Sequence, residues 1–271
     1  MKRLLFFILI AACIGIILPS KAQAFDLTVG ATTWYAVWDL KADGESVNGS
    51  QDVKKGKASF LYGPVLSSKI NDDFSISFVY LYGKFDMKLD NTAIGVNNEK
   101  VKYKRNDGDL AFNYRLNNYF EIFAGMKYVE LEVPFIALST GSSHPIKHYG
   151  YGPGLGISFT CPISYNLFLL ANISGLYLWG KEKLELEAPE IGYNEKLNEY
   201  GVNSSLSIAY YIAPASIVIS LGGRYQYVKT VYEGTEFVDF TYGVLSTNKK
   251  LSNVKNHMYG ITLTATYTFS F

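Results

Sequence analysis

Three histidines are the side chains of this sequence that could most directly bind a metal ion or transfer protons. His144 and His148 are four residues apart and could share a metal ion, whereas His257 stands alone. A proline follows His144, and neither a carboxylate nor a third ligand stands nearby, so this pair is a weak metal signal. We therefore expect all three to be solvated histidines of loops or strand ends, with no metal ion and no cofactor bound.

Asp107 and Asp109 are a second possible centre, because two carboxylates one residue apart could act as a general acid and a general base. Arg105 and Arg115 have the same parity along the chain, so neutralisation by these arginines is the simpler interpretation. The sequence has no Gly-rich phosphate loop, no CxxC motif and no nucleophile elbow. These observations predict a protein that is not an enzyme.

The last thirteen residues, Tyr259 to Phe271, alternate between two kinds of side chain. Their odd positions carry Tyr, Ile, Leu, Ala, Tyr, Phe and Phe, and their even positions carry Gly, Thr or Ser. Successive side chains of a strand point to opposite faces, so this strand would have one apolar face and one hydroxylated face. That pattern is typical of a strand between lipid and a wet lumen.

Amphipathic runs of this kind recur along the chain and predict about ten antiparallel strands, with eight or twelve as alternatives. Short turns and long polar joins alternate between them, as in an up-and-down β-barrel with both termini at the end of the short turns. The predicted strands are 26–40, 58–70, 74–88, 102–116, 119–133, 148–162, 166–182, 198–212, 216–232 and 256–271. The long joins are 41–57, 89–101, 134–147, 183–197 and 233–255.

The alternation turns a set of charged residues towards the barrel interior and apolar residues towards the outside. A soluble sandwich could not bury these charges in its core, which leaves a membrane barrel. Both signs occur in comparable number, so three interpretations remain: a salt-bridged plug, which we favour, the charged lining of a narrow pore, and a catalytic site. The inward charges are Arg105, Asp107, Asp109, Arg115, Glu121, Lys127, Glu199 and Arg224.

The strand predicted at 148–162 has a nearly bare inner face, because Gly150, Gly152, Gly154 and Gly156 occupy its even positions. The missing side chains could make room for long side chains from across the barrel, or form a ligand groove or pore lining. We favour the first interpretation, since about ten strands leave little interior space.

Aromatic residues on the outward faces fall into two groups, near the outer and the inner strand ends, as expected for belts at two membrane interfaces. Trp34 and Trp38 are exceptions, because their parity points them into the lumen. With Leu176 and Leu178, which are also inward, they could line an apolar pocket or simply pack in the outer half of the barrel.

Residues 1–24 have the order of an export signal: Lys2 and Arg3, then an apolar run, then Ala22-Gln23-Ala24. The apolar run is too short for a spanning helix, which needs roughly 20 residues. We expect cleavage after Ala24, which leaves the barrel domain at 25–271. Lipidation of Cys13 after the sequence Ile10-Ala11-Ala12 is the alternative.

Cleavage after Ala24 would remove three of the 25 basic residues and none of the 24 acidic ones, which leaves a net charge of −2. The mature chain therefore has no basic footprint for nucleic acid. Cys161 would be its only cysteine, so no intramolecular disulfide could form.

On these residues the chain resembles bacterial outer-membrane β-barrels of the small monomeric type. The resemblance implies insertion into the outer membrane of a Gram-negative cell envelope, in contact with its lipids. It also implies that the barrel-insertion machinery reads Tyr267, Phe269 and Phe271 as a terminal signal. Neither the omptin proteases nor the lipid A deacylases, two enzymatic families of such barrels, can be aligned by motif.

Three functions remain open. The first, which we favour, is a non-enzymatic barrel with a plugged lumen whose loops bind an unidentified extracellular ligand. The second is a narrow porin-like channel for small polar solutes. The third is a hydrolase at the outer rim that uses His148 or His257 with a loop acid.

Overall fold

The chain folds into one closed antiparallel barrel, in which every strand pairs with its neighbours in sequence and the last strand pairs with the first. The computed structural model describes residues 26–44, 54–91, 96–136, 143–185, 192–232, 238–239, 244–245 and 251–271. The predicted signal 1–24 lies outside them, as does most of the predicted loops 41–57 and 233–255. The closing ladder runs from the pair Asp26–Ser270 to the pair Gly44–Leu251. The predicted fold, an up-and-down barrel of about ten strands, is confirmed.

Ten strands form the barrel, and we number them β1 to β10. They are β1 Asp26–Gly44, β2 Ser59–Lys69, β3 Phe74–Asn91, β4 Val96–Arg115, β5 Phe120–Ile136, β6 Ser143–Ser164, β7 Leu167–Glu185, β8 Gly192–Ile212, β9 Ile217–Tyr232 and β10 Leu251–Ser270. Lys54–Lys55 adds a short pairing to β1, and Val238–Asp239 pairs with Val244–Leu245. No helix among the described residues is both long and apolar enough to span a bilayer.

Most strands continue further towards the long connections than the sequence predicts. β4 begins at Val96 instead of 102, β6 at Ser143 instead of 148, and β8 at Gly192 instead of 198. The backbone groups of the polar residues in these extensions are satisfied by cross-strand pairing. Strands predicted from composition alone are therefore too short at their outer ends.

The short turns follow from asparagine chemistry. Asn71 Oδ1 accepts hydrogen bonds from the backbone N–H groups of Asp73 (2.9 Å) and Phe74 (2.8 Å). Asn117 does the same for Tyr119 (2.8 Å) and Phe120 (2.9 Å). An asparagine side chain that bonds the backbone two and three residues on reverses the chain without help from other segments. These turns, together with Asp26 at the start of β1 and Ser270 at the end of β10, define the inner end of the barrel, and the long connections define its outer end.

The outward face of the barrel wall is apolar and exposed. Leu155, Leu221 and Ile261 are exposed by 67%, 57% and 58%, which no soluble monomer of this size would tolerate around its whole wall. Outward aromatics near the outer end include Tyr151, Trp179, Tyr200 and Tyr225; those near the inner end include Phe74, Tyr114, Tyr267 and Phe269.

The predicted terminal signal lies at the inner end on this outward face. Tyr267 and Phe269 are each 40% exposed, and their ring centroids are 4.5 Å apart. Phe271 stacks on Phe269 at 6.2 Å. The three rings thus form one continuous exposed strip.

Candidate functional site

The outer half of the lumen is filled by apolar side chains. Trp38 is central, since it packs edge-to-face on Phe85 at 5.4 Å and on Tyr103 at 5.6 Å. The indole Nε1 of Trp38 donates a hydrogen bond to Asn256 Oδ1 at 3.2 Å, so it is satisfied although buried. The side chains of this apolar cluster that are at most 1% exposed are Trp34, Ala36, Trp38, Leu61, Leu81, Phe85, Leu178 and Met258. Trp34 and Trp38 are inward as their parity predicts, and they pack instead of leaving a pocket.

Arg105 and Asp107 lie next to these apolar side chains, on the lumen-facing side of β4. The guanidinium donates from Nε and Nη2 to the two Asp107 oxygens, each at 3.2 Å, and from Nη2 to Gln226 Oε1 at 3.4 Å. It also lies 5.6 Å from the ring centroid of Trp38. The pair therefore joins the polar and apolar parts of the lumen.

Asp109 forms the next layer, where it receives two cations from different strands. Lys127 Nζ lies 2.9 Å from Asp109 Oδ1, and Arg224 Nη2 lies 3.5 Å from Asp109 Oδ2. The Arg224 guanidinium also lies 4.7 Å from the ring centroid of Trp34. Each of the two aspartates thus has its own cationic partners: Arg105 for Asp107, and Lys127 with Arg224 for Asp109.

His148 lies inside the barrel, and its ring separates two buried glutamates. Nε2 is 3.2 Å from Glu199 Oε1, and Nδ1 is 3.9 Å from Glu182 Oε2. Thr230 Oγ1 donates to Glu199 Oε1 at 2.9 Å, and Tyr232 donates to Glu182 Oε2 at 3.1 Å. The expectation of a solvated His148 was therefore wrong: β6 continues beyond it to Ser143, so this inward residue lies inside the lumen and not at the end of its strand. Glu182 was missed for the same reason: it falls at the end of its predicted strand, next to a polar join.

The other predicted side chains do not join this cluster. Arg115 and Glu121 lie at the inner end, where Arg115 Nε is 3.8 Å from Glu121 Oε1 and both are partly exposed. His257 is on the outward face, 3.0 Å from the Tyr225 hydroxyl. The side chain of His144 lies outside the described residues. Within the described part of the chain no three His, Cys, Asp or Glu residues are arranged to hold a metal ion.

The inward face of β6 carries glycines, and long side chains of other strands lie against it. A side chain added at Gly150 would collide with Glu199 Oε2, and one added at Gly156 would collide with the ring of Phe123. These two glycines therefore make room for long side chains from other strands, as the favoured interpretation predicts.

The inner half of the lumen is less completely filled. A cavity of about 280 Å³ lies beneath the charged layer. Its wall is mostly small and polar; Ser77, Asp109, Asn113, Lys127, Ser158, Asn172, Asn203 and Arg224 contribute to it. This space suits water or a small polar solute.

Several solved structures are similar to this chain in their overall architecture, at low sequence identity. The outer membrane protease OmpT from Escherichia coli aligns with a TM-score of 0.48 and 12% identity, over 93% of this chain and 99% of that one. The translocator domain of the autotransporter NalP from Neisseria meningitidis aligns with a TM-score of 0.47 and 8% identity, over 95% of this chain and 93% of that one. Neisserial surface protein A aligns with a TM-score of 0.36 and 11% identity, over 91% of this chain and 99% of that one. No protein-family model matches the sequence, and no curated protein does.

Proposed function

We propose that this protein is an integral outer-membrane barrel without catalytic activity, that its lumen is closed to solutes, and that its outer loops bind an extracellular partner. An apolar wall around a charged interior supports the membrane placement, since only lipid tolerates such an exterior. The long connections that share one end of the barrel supply the surface for binding.

The main support for a closed lumen is the apolar filling of its outer half, which we call the outer plug. Its largest side chains, Trp34, Trp38 and Phe85, are all 0% exposed, so water does not reach them from either end. Next to them, the buried pair Arg105–Asp107 reaches across the lumen to Gln226 on β9. A solute entering from the outer end would have to displace both layers.

Planar-bilayer conductance of the refolded protein tests this proposal. We expect almost no current from the unmodified protein. Trp38→Ala removes the central ring of the plug and should open measurable conductance, whereas Tyr151→Ala on the outward face should not. A steady ohmic current through the unmodified protein would overturn the closure.

The inner cavity favours a second candidate, a narrow channel for small polar solutes. Its wall carries Lys127 and Arg224 on either side of Asp109, which would make passage sensitive to the charge of the solute. If the unmodified protein conducts, Arg224→Gln should shift its ion selectivity towards cations, and the channel interpretation would replace the closed one.

His148 has no catalytic role in the proposed function. Its ring is 5% exposed and is held between Glu182 and Glu199, so a large substrate has no access to it. We interpret this cluster as part of the filling of the lumen. Hydrolysis that disappears in His148→Gln, with the barrel still folded, would contradict this assignment.

A further inference from the structure

The wall of the inner cavity carries two cations and one carboxylate. Lys127 on β5 and Arg224 on β9 both lie beside Asp109 on β4, at 2.9 Å and 3.5 Å. Two positive charges and one negative charge leave a net charge of +1 on this wall. Asp107, on the same face of β4, already has Arg105 as its partner. One further negative charge inside the cavity would therefore make its charges balance.

Arg224 is the cation of this group that can still bind a ligand. Lys127 donates a hydrogen bond to Asp109, whereas the 3.5 Å between Arg224 Nη2 and Asp109 Oδ2 exceeds the about 2.8 Å of a charged hydrogen bond. The Arg224 guanidinium has five N–H groups and donates no hydrogen bond to any described residue. It lies over the ring of Trp34 and its side chain is 17% exposed. Its N–H groups are thus left for a carboxylate, which a guanidinium binds through two parallel hydrogen bonds.

The rest of the polar wall consists of small hydroxyl and amide side chains on five other strands. They include Ser77, Asn113, Ser158, Asn172, Ser174 and Asn203. Asn203 Oδ1 is buried and accepts no hydrogen bond from the described residues, which is costly for a polar atom. Asn203 is two residues from Ser205, and Ser205 is in register with Arg224. A ligand that carries both a carboxylate and hydroxyl groups can therefore reach Arg224 and Asn203 together.

The inner cavity is open towards the inner end of the barrel. On the inward face of β4 the exposed fraction of the side chain rises from 0% at Asp107 to 32% at Asp109 and 46% at Arg115. Water therefore reaches the cavity from the side of the short turns, whereas the outer plug closes the other side. The cavity volume of about 280 Å³ equals that of about nine water molecules at about 30 Å³ each, which suits a molecule the size of a monosaccharide.

We propose that the inner cavity binds a monoanionic sugar acid that enters from the inner end. The carboxylate pairs with Arg224 and supplies the balancing negative charge, while the hydroxyl groups bond to Asn203 and to the serines of the wall. Phe123 and Leu176 give the same wall an apolar part for the C–H face of a sugar ring. The side of entry rests on the closed lumen proposed above, whereas the binding itself does not.

Isothermal titration calorimetry of the folded protein in neutral detergent tests the proposal, with D-glucuronate as the probe. D-glucose, which has a hydroxymethyl group in place of the carboxylate, and acetate, which lacks the hydroxyl groups, are the comparison ligands. Arg224→Gln removes the cation, and Asn203→Ala removes the amide without changing any charge. Arg115→Gln is the control, because it removes the same charge from the inward face outside the cavity. Gel migration with and without heating shows whether each variant is folded.

We expect Arg224→Gln to bind glucuronate about 30-fold more weakly than the unmodified protein, because hydrogen bonds between charged groups are lost. Asn203→Ala should bind it about 5-fold more weakly, and Arg115→Gln should bind it equally well. Glucose or acetate that binds as tightly as glucuronate would overturn the proposal, as would equal affinities of Arg224→Gln and Arg115→Gln. If Arg224→Gln does not fold, unchanged binding by folded Asn203→Ala overturns it instead.

Planar-bilayer recordings with glucuronate separate this inference from the proposed closed lumen. A closed barrel should bind glucuronate in the calorimeter and carry almost no current. A barrel that neither conducts nor binds glucuronate contradicts the sugar-acid site alone. A current that glucuronate blocks contradicts the closed lumen and supports the site, because the inner cavity would then lie within a channel.

Discussion

Arg105 and Asp107 are neighbours on one face of β4, and their side chains form a two-point ion pair inside the lumen. Two guanidinium nitrogens of Arg105 each donate to an Asp107 oxygen at 3.2 Å. The residues are only 3% and 1% exposed, so neither ion is compensated by bulk water. The loss of one partner would therefore leave the other as an uncompensated charge inside the lumen.

Asp107→Ala should therefore destabilise the barrel and loosen the plug. A fully buried broken pair costs about 3–5 kcal/mol, and water that enters the lumen would lower that cost. Thermal unfolding in detergent should show a lower midpoint, and bilayer recordings should show increased conductance. Glu121→Ala is the control, because its 3.8 Å pair with Arg115 is partly exposed and contributes little. Equal effects of the two variants would mean that the Arg105–Asp107 pair is not part of the plug.

Gly150→Ala should destabilise the protein, because the new methyl group collides with Glu199 Oε2. Glu199 can move only by weakening its contacts with His148 and Thr230, and such overpacking costs about 1–3 kcal/mol. Gly175→Ala on the outward face meets nothing within 4 Å and should change the unfolding midpoint little. Identical midpoints for the two variants would contradict the tight packing at Gly150.

The orientation of the barrel can be tested on intact cells. The predicted loops 41–57 and 233–255 should be extracellular, and the 116–119 turn should face the periplasm. Added trypsin should cut near Lys54-Lys55 or Lys249-Lys250 and spare the turn, with peptide mapping as the measurement. Cleavage that requires permeabilised cells would reverse the orientation.

Deletion of Phe271 should lower the amount of protein in the outer membrane while export continues. The physical reason is the exposed strip in which Phe271 stacks on Phe269 and Phe269 contacts Tyr267. Fractionation and immunoblotting measure the outer-membrane and periplasmic pools. If deletion of both Phe269 and Phe271 leaves insertion unchanged, the terminal strand does not act as the signal.

The sequence by itself determined the direction of most side chains in the barrel wall. Alternation has a period of two whatever the rest of the fold does, so Arg105, Asp107 and Lys127 are inward by position alone. The short turns were readable for a similar reason, since Asn71 and Asn117 reverse the chain through local hydrogen bonds.

Only the tertiary structure decided which inward residues meet. Arg224 lies over Trp34, and His148 lies beside Glu199, because closure of the barrel and the stagger of its strands bring distant layers to one level. His148 was misjudged because polar residues continue β6 beyond its apparent end. Pairing across the barrel depends on this global geometry, and the amphipathic pattern of a single strand does not contain it.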